Sequence, residues 1–155
     1  MSSKVILRGE YDDFLPGDVS FSAKMATLFF SFKKMEANMT LETYPDKYHR
    51  LQSLALKMSK EISGPMKGFG QLHLHSLENG SLSRKIKELM ALSISITTHC
   101  GGCIAYHVHD ALKAGADDKE VFETIGVALM MGGGPALIYG CEALEALEQF
   151  RKIAD

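Results

Sequence analysis

The chain is poor in three things that would assign a protein to a broad class at once. It has no excess of charge: 17 Lys and Arg stand against 19 Asp and Glu, for a formal net charge of -2. General attraction to nucleic acid or to anionic membranes does not follow from such a balance. It is also poor in export and anchoring signals. Residues 1–10 mix charge with polarity and hold no cleavable apolar segment. The apolar stretch at residues 21–32 is interrupted by Lys24, closed by Lys33 and Lys34, and too short to span a bilayer. The cytoplasm is therefore the expected compartment. Cysteine, finally, is scarce: there are three, of which Cys100 and Cys103 form the one close pair. In a reducing compartment such a pair points to catalysis or metal binding rather than to a structural crosslink.

What is present is enough apolar material for a real core. The 155 residues are 46% hydrophobic, which suits one domain. Residues 5–7 read as a short strand or arm, and Pro16, Gly17 and Asp18 as a turn. From Ser20 the apolar period is helical: Phe21, Met25, Leu28, Phe29, Phe32 and Met35 recur at three- and four-residue steps. A second helix is expected from about Pro45, with Tyr48, Leu51, Leu54, Ala55, Met58 and Ile62 as its apolar stripe and Gly64 and Pro65 as its stop. A third covers about 66–77. The fourth, capped by Ser81 or Ser83, is so apolar after Glu88 that burial on more than one side is expected. Thr97, Thr98 and His99 then weaken helix propensity, and a tight corner leads into a helix over about 100–113. Asp117 or Asp118 starts the next, which runs to 131. Gly132, Gly133, Gly134 and Pro135 break the chain, and a last helix covers 136–153, with Leu137, Cys141, Leu144 and Leu147 inward and Cys141 a buried, inert thiol. No strand pattern appears after residue 10. The expected fold is all-α, with six to seven helices, in one domain. Residues 1–45 form an arm and helix outside the core, and residues 46–155 form the helical domain.

The chemistry concentrates at the corner. On a helix starting near Cys100, Cys103 and His107 fall within roughly 60° of the first cysteine. Two thiols and one imidazole therefore share a face. The pair's spacing and a helix N-terminus both favour a thiolate, and Gly101 and Gly102 remove bulk beside the sulfurs, leaving room for a small substrate. Glu88 is eleven residues before His99 and His107 eight after it. If the two helices turn back on each other at the corner, these side chains come within reach. Glu88 would then orient the imidazole, and His107 would move protons to and from Cys103. The rival is metal: Cys100 and Cys103 with two of His99, His107 and His109 could supply four ligands. Against it stand the missing second Cys pair and the missing distant His pair. His73 and His75, two residues apart, point to different sides of a helix. No cofactor or metal is expected. The glycine run at 132–134 follows no strand and lacks the Lys and Ser/Thr of a phosphate loop, so it reads as a helix–helix corner.

Glu88, an eleven-residue gap, Cys100-x-x-Cys103, then His107 and Ala111 at four-residue steps resemble the signature of the AhpD-like branch of the carboxymuconolactone decarboxylase family. The run Met130, Met131, Gly132, Gly133, Gly134, Pro135 and Ala136, and Lys67-x-Phe69, are similar to that family as well. The resemblance covers about residues 60–150 and is most specific over 84–140. It implies an all-helical AhpD-like bundle whose central helical hairpin carries the Cys pair, assembled as a homotrimer or homohexamer, and a hydroperoxide-reducing peroxidase. Cys103 would attack the peroxide and become a sulfenic acid, and Cys100 would condense with it to a disulfide. Glu88 and His107 would pass protons, and a lipoyl or thioredoxin-like dithiol donor would restore the pair. The best-known members carry a His just before the second Cys, where this chain has Gly102. Helix-start physics favours Cys100 as the lower-pKa thiol, while the resemblance assigns the peroxide step to Cys103 and leaves Cys100 to meet the reductant. The decarboxylase branch acts on a lactone acid without relying on a Cys pair, so the motif argues against that activity. The alternative to a peroxidase is a non-enzymatic redox-sensing or binding oligomer.

Overall fold

The computed structural model describes residues 42–154. The expected arm at residues 5–7, the turn at 16–18 and the helix from Ser20 lie outside the described residues. These form five helical elements and no strand: α1 (Tyr44–Glu61), α2 (Ser63–Leu77), α3 (Arg84–Thr97), α4 (Gly101–Lys113) and α5 (Asp118–Ala154). The expected six to seven counted a helix in the first 41 residues and took the two arms of α5 separately.

Local chemistry sets most of the boundaries. Thr43 caps α1 by accepting the Asp46 N–H at 3.2 Å, with Pro45 in the first turn, where its missing N–H is harmless. The chain turns at Ile62 (φ -122°, ψ 55°), and α2 already begins at Ser63. Gly64 and Pro65 therefore open α2 rather than stop α1, since a proline in a first turn removes no helical hydrogen bond. Ser83 caps α3 by accepting the Ile86 N–H at 3.3 Å. At the start of α5, Asp117 accepts the Glu120 N–H at 2.9 Å while Glu120 accepts the Asp117 N–H at 3.0 Å, a reciprocal capping box.

α5 does not run straight. Gly133 is non-helical (φ 64°, ψ -149°), and the chain reverses there. A Cβ on Gly140 would come within 2.9 Å of Ile125 Cγ2, and Arg151 pairs with Asp118 at 2.7 Å, so the two arms lie against each other. By length and composition α5 is apolar enough to cross a membrane, but the chain reverses at Gly133, so it is two arms rather than one straight helix. A Cβ at Gly132 would lie 2.6 Å from that of Ala136 and 3.2 Å from Thr97 Cγ2. The turn thus also needs a bare backbone where α3 ends.

The core lies where α3, α4 and both arms of α5 meet. Leu92, Ile96, Ile104, Val108 and Val121 are fully buried, joined by Ala128, Ala136, Ala143 and Ala146. Two expectations change. The second arm of α5 buries its alanine stripe with Leu147 and Phe150, while Leu137 and Cys141 are exposed. Small side chains let neighbouring backbones approach, and that closeness outweighs the larger side chains one position away. α3 buries one face only, because Ile86, Met90 and Ile94 on the other are 40–60% exposed. α2 contributes only Leu77 to the buried set, and Leu54, Met58 and Ile62 at the end of α1 are exposed.

Two outcomes test this packing. Gly132→Ala should cost about 1–3 kcal/mol, read as a lower urea midpoint with an unchanged slope. The Lys85 ammonium and the Asp117 N–H hold the Glu120 carboxyl below its ordinary range. A depressed folded-state value means stability that is present above the ordinary carboxylate range and lost as pH falls through the lowered value. Glu120→Gln should therefore flatten the acid limb of the melting temperature against pH; an unaltered acid limb would refute this.

Candidate functional site

The corner between α3 and α4 is made by two unusual residues. His99 sits in the left-handed region (φ 58°), uncommon for a residue with a Cβ, and its ring lies on Tyr139, with centroids 4.7 Å apart. Cys100 follows as the N-cap of α4, its Sγ accepting the Cys103 N–H at 3.2 Å. The first turn of a helix leaves its N–H groups without backbone partners, so a sulfur fills a role usually taken by Ser or Asp. Cys100 and Cys103 are joined as a disulfide with Cα atoms 5.2 Å apart. Both are half-buried. The bond is therefore closed at the positive end of the α4 dipole, where a released thiolate is favoured.

α3 and α4 pack antiparallel across this corner, with contacts pairing Glu88 with His107 and Arg84 with Asp110. Glu88 is fully buried, and its Oε2 accepts from His107 Nδ1 at 2.9 Å. With Nδ1 donating, His107 Nε2 remains for other chemistry one helical turn beyond Cys103. Its side chain keeps 18% exposure. The second carboxylate oxygen, Oε1, makes no hydrogen bond and has Arg84 Nε at 3.4 Å. A carboxylate taken out of water costs several kcal/mol unless compensated, so the imidazole and the guanidinium are what make Glu88 tenable there. Lys85 and Lys87 beside it in sequence point elsewhere: Lys85 pairs with Glu120 and Lys87 donates to the Glu78 carbonyl.

The structure thus brings Glu88, His107 and the Cys100–Cys103 pair to one corner. Of the other histidines, His99 forms the corner itself and His73 lies beside His107, while His75 and His109 pair elsewhere. His109 stacks on Tyr48 at 4.1 Å and meets Asp110 at 2.7 Å. His75 meets Glu78 at 3.0 Å. His73 lies near His107, ring centroids 6.3 Å apart. Among the described residues no three His, Cys, Asp or Glu side chains are grouped as metal ligands. Gly101 and Gly102 do not open a substrate space. A Cβ at Gly101 would lie 3.2 Å from Glu142 Oε2 and 3.8 Å from Lys47 Nζ, and one at Gly102 would lie 3.1 Å from Leu51 Cδ1. Side chains from α1 and α5 fill the room the glycines leave.

Sequence reasoning missed Arg84, Tyr44, Lys47 and Glu142. Arg84 carried a signal, four residues before Glu88 on one helix face. The others carried none, since Tyr44 meets Glu142 across 98 residues of chain.

A carboxymuconolactone decarboxylase family model matches residues 65–146. A family protein from Legionella pneumophila, solved in its apo form, is 37% identical over 69% of this chain and 96% of its own, with a TM-score of 0.67. One from Thermotoga maritima, described as a candidate for antioxidative response, is 30% identical over 68% and 92%, with a TM-score of 0.62. An uncharacterised protein of Cupriavidus necator is 30% identical over 79 residues, 51% of this chain and 70% of its own.

The buried pair is testable by a double-mutant cycle. Glu88→Ala and His107→Ala should each destabilise, and the cycle should show a coupling of about 1–3 kcal/mol. Purely additive losses in urea unfolding would show that the two side chains do not support each other.

Proposed function

The chain belongs to the carboxymuconolactone decarboxylase family, and from that premise we propose that it is a thiol-dependent peroxidase working through Cys100 and Cys103. One observation carries the reading: the disulfide sits at the start of the helix that, a turn later, presents an imidazole held by a fully buried carboxylate. A lactone decarboxylase has no need of such a pair.

In the reduced protein His107 takes the proton of the Cys103 thiol, and Glu88 stabilises the imidazolium. The thiolate attacks the terminal peroxide oxygen and the O–O bond breaks. Cys103 becomes a sulfenic acid, and the leaving alkoxide takes the proton from His107 and departs as an alcohol. The Cys100 sulfur then attacks that sulfenic sulfur, forming the disulfide and releasing water. Two electrons from a dithiol donor, lipoyl or thioredoxin-like, return the pair to thiols. A cytoplasmic location suits this cycle.

The same reading extends to assembly as a homotrimer or homohexamer. Supporting it are the apolar side chains left bare on one chain, among them Ile86, Met90, Ile94, Val127 and Phe69, an exposed surface of the kind that marks association. Were the pair a redox switch of assembly instead, peroxide would change the sedimentation coefficient without repeated turnover.

The deciding measurement is peroxide consumed per reduced chain, with thiol titration and mass spectrometry of the product. One peroxide should consume two thiols and leave Cys100 joined to Cys103. Cys103→Ser should abolish consumption, and Glu88→Gln should slow it by about 10²-fold or more. A Cys103→Ser protein that consumes hydroperoxide at the parent rate would sink the proposal.

A further inference from the structure

The geometry points to a second acid–base set, Tyr44, Lys47 and Glu142, that serves Cys100 during reduction of the disulfide as Glu88 and His107 serve Cys103; this rests on the thiol–disulfide reading above. The three side chains come from opposite ends of the described chain and converge on the peptide unit that directly follows Cys100. Glu142 Oε2 and Lys47 Nζ lie 3.2 and 3.8 Å from where a Gly101 side chain would begin. Tyr44, only 5% exposed, donates its hydroxyl to the same Glu142 oxygen at 2.8 Å. Lys47 Nζ stands 4.6 Å above the Tyr44 ring centroid. Burial, the hydrogen bond to Glu142 and that carboxylate's charge push the Tyr44 hydroxyl well above its ordinary range, so it stays a donor and holds the carboxylate in place.

Packing alone accounts for a tyrosine tying α1 to α5. It does not account for a half-buried carboxylate and an ammonium beside the glycine that follows a reactive cysteine. On α4 Gly101 lies about 120° around the helix from His107, so a donor that approaches past Gly101 meets Glu142 and Lys47 first.

The cycle balances as follows. Glu142 takes a proton from one thiol of the donor, and the resulting thiolate attacks Cys100 Sγ. The Cys100–Cys103 bond breaks, and Cys103 leaves as a thiolate that takes a proton from solvent by way of His107. The donor's second thiol loses its proton to solvent, and its sulfur attacks the donor sulfur held on Cys100. The donor departs as a disulfide, and the Cys100 thiolate, favoured by Lys47 and the α4 dipole, recovers the proton that Glu142 holds. The donor is oxidised by two electrons and the protein disulfide is reduced by two.

The two half-reactions can be timed separately, with cumene hydroperoxide on the reduced chain and dihydrolipoamide on the oxidised one. Glu142→Gln keeps an oxygen for Tyr44 but removes the base, and should slow reduction about tenfold more than it slows oxidation. Lys47→Gln should act in the same direction, less strongly. Tyr44→Phe, which leaves the carboxylate, should lower the melting temperature more than Glu142→Gln does and slow reduction less. In Glu142→Ala, added formate should restore the reduction rate in proportion to its concentration, which a packing role would not produce. Equal slowing of both half-reactions in Glu142→Gln, or reduction at the parent rate, would overturn the assignment. A parent protein inert to hydroperoxide but showing the Glu142 effect on reduction would reject the peroxidase reading alone.

Discussion

A carboxylate with no exposure, in a domain of this size, constrains everything around it. Glu88 is carried on α3 among Leu89, Leu92 and Ile96, side chains worth about 1.5–3 kcal/mol each on burial, while its own ionised group opposes burial by several kcal/mol. The helix can bury that face only if a partner is waiting. His107 is that partner, and it can be in place only if α4 runs back along α3. The corner at His99 and Cys100, the left-handed backbone there and the sulfur that caps α4 all follow from the need to bring residue 107 beside residue 88. Structure and chemistry are coupled at this point: the imidazole that makes the buried acid tenable is the one stationed a turn from Cys103.

How much of this was readable in the sequence depends on how far apart the partners lie. Glu88, Cys100, Cys103 and His107 are close in sequence, and helical periodicity with a marked corner was enough to bring them together on paper. The same local logic narrowed the caps to Ser81 or Ser83 and Asp117 or Asp118, of which the fold uses Ser83 and Asp117, and marked the break near Gly133. It failed where two stripes on one helix competed. On the second arm of α5, Leu137 and Cys141 looked like the inner face because they are larger and more apolar than their neighbours. Leu147 is buried as expected, but the rest of the buried stripe is Ala136, Ala143, Ala146 and Phe150, because an arm folded back on its other half needs small residues at the crossing. Gly64 and Pro65 misled for a different reason: they are punctuation whose meaning depends on which side of them the helix lies.

The glycines of the motif teach a related lesson. From sequence, Gly101 and Gly102 are absences, space beside two sulfurs. In the fold they are contact points, with Leu51 against one and Glu142 and Lys47 against the other. An imidazole at position 102, as in the best-known relatives, would have to displace Leu51. The departure from that pattern is thus matched by a side chain from α1, all of which lies outside the region matched by the family model.

The two sulfurs stand at the meeting of a short-range and a long-range substructure. Glu88 and His107 are 19 residues apart, whereas Tyr44 and Glu142 are 98 apart, and closing the longer loop costs about 1.5 kcal/mol more in chain entropy. The Cys103 side of the corner therefore needs only the segment from α3 to α4, whereas the Cys100 side is complete only when the last helical arm is docked.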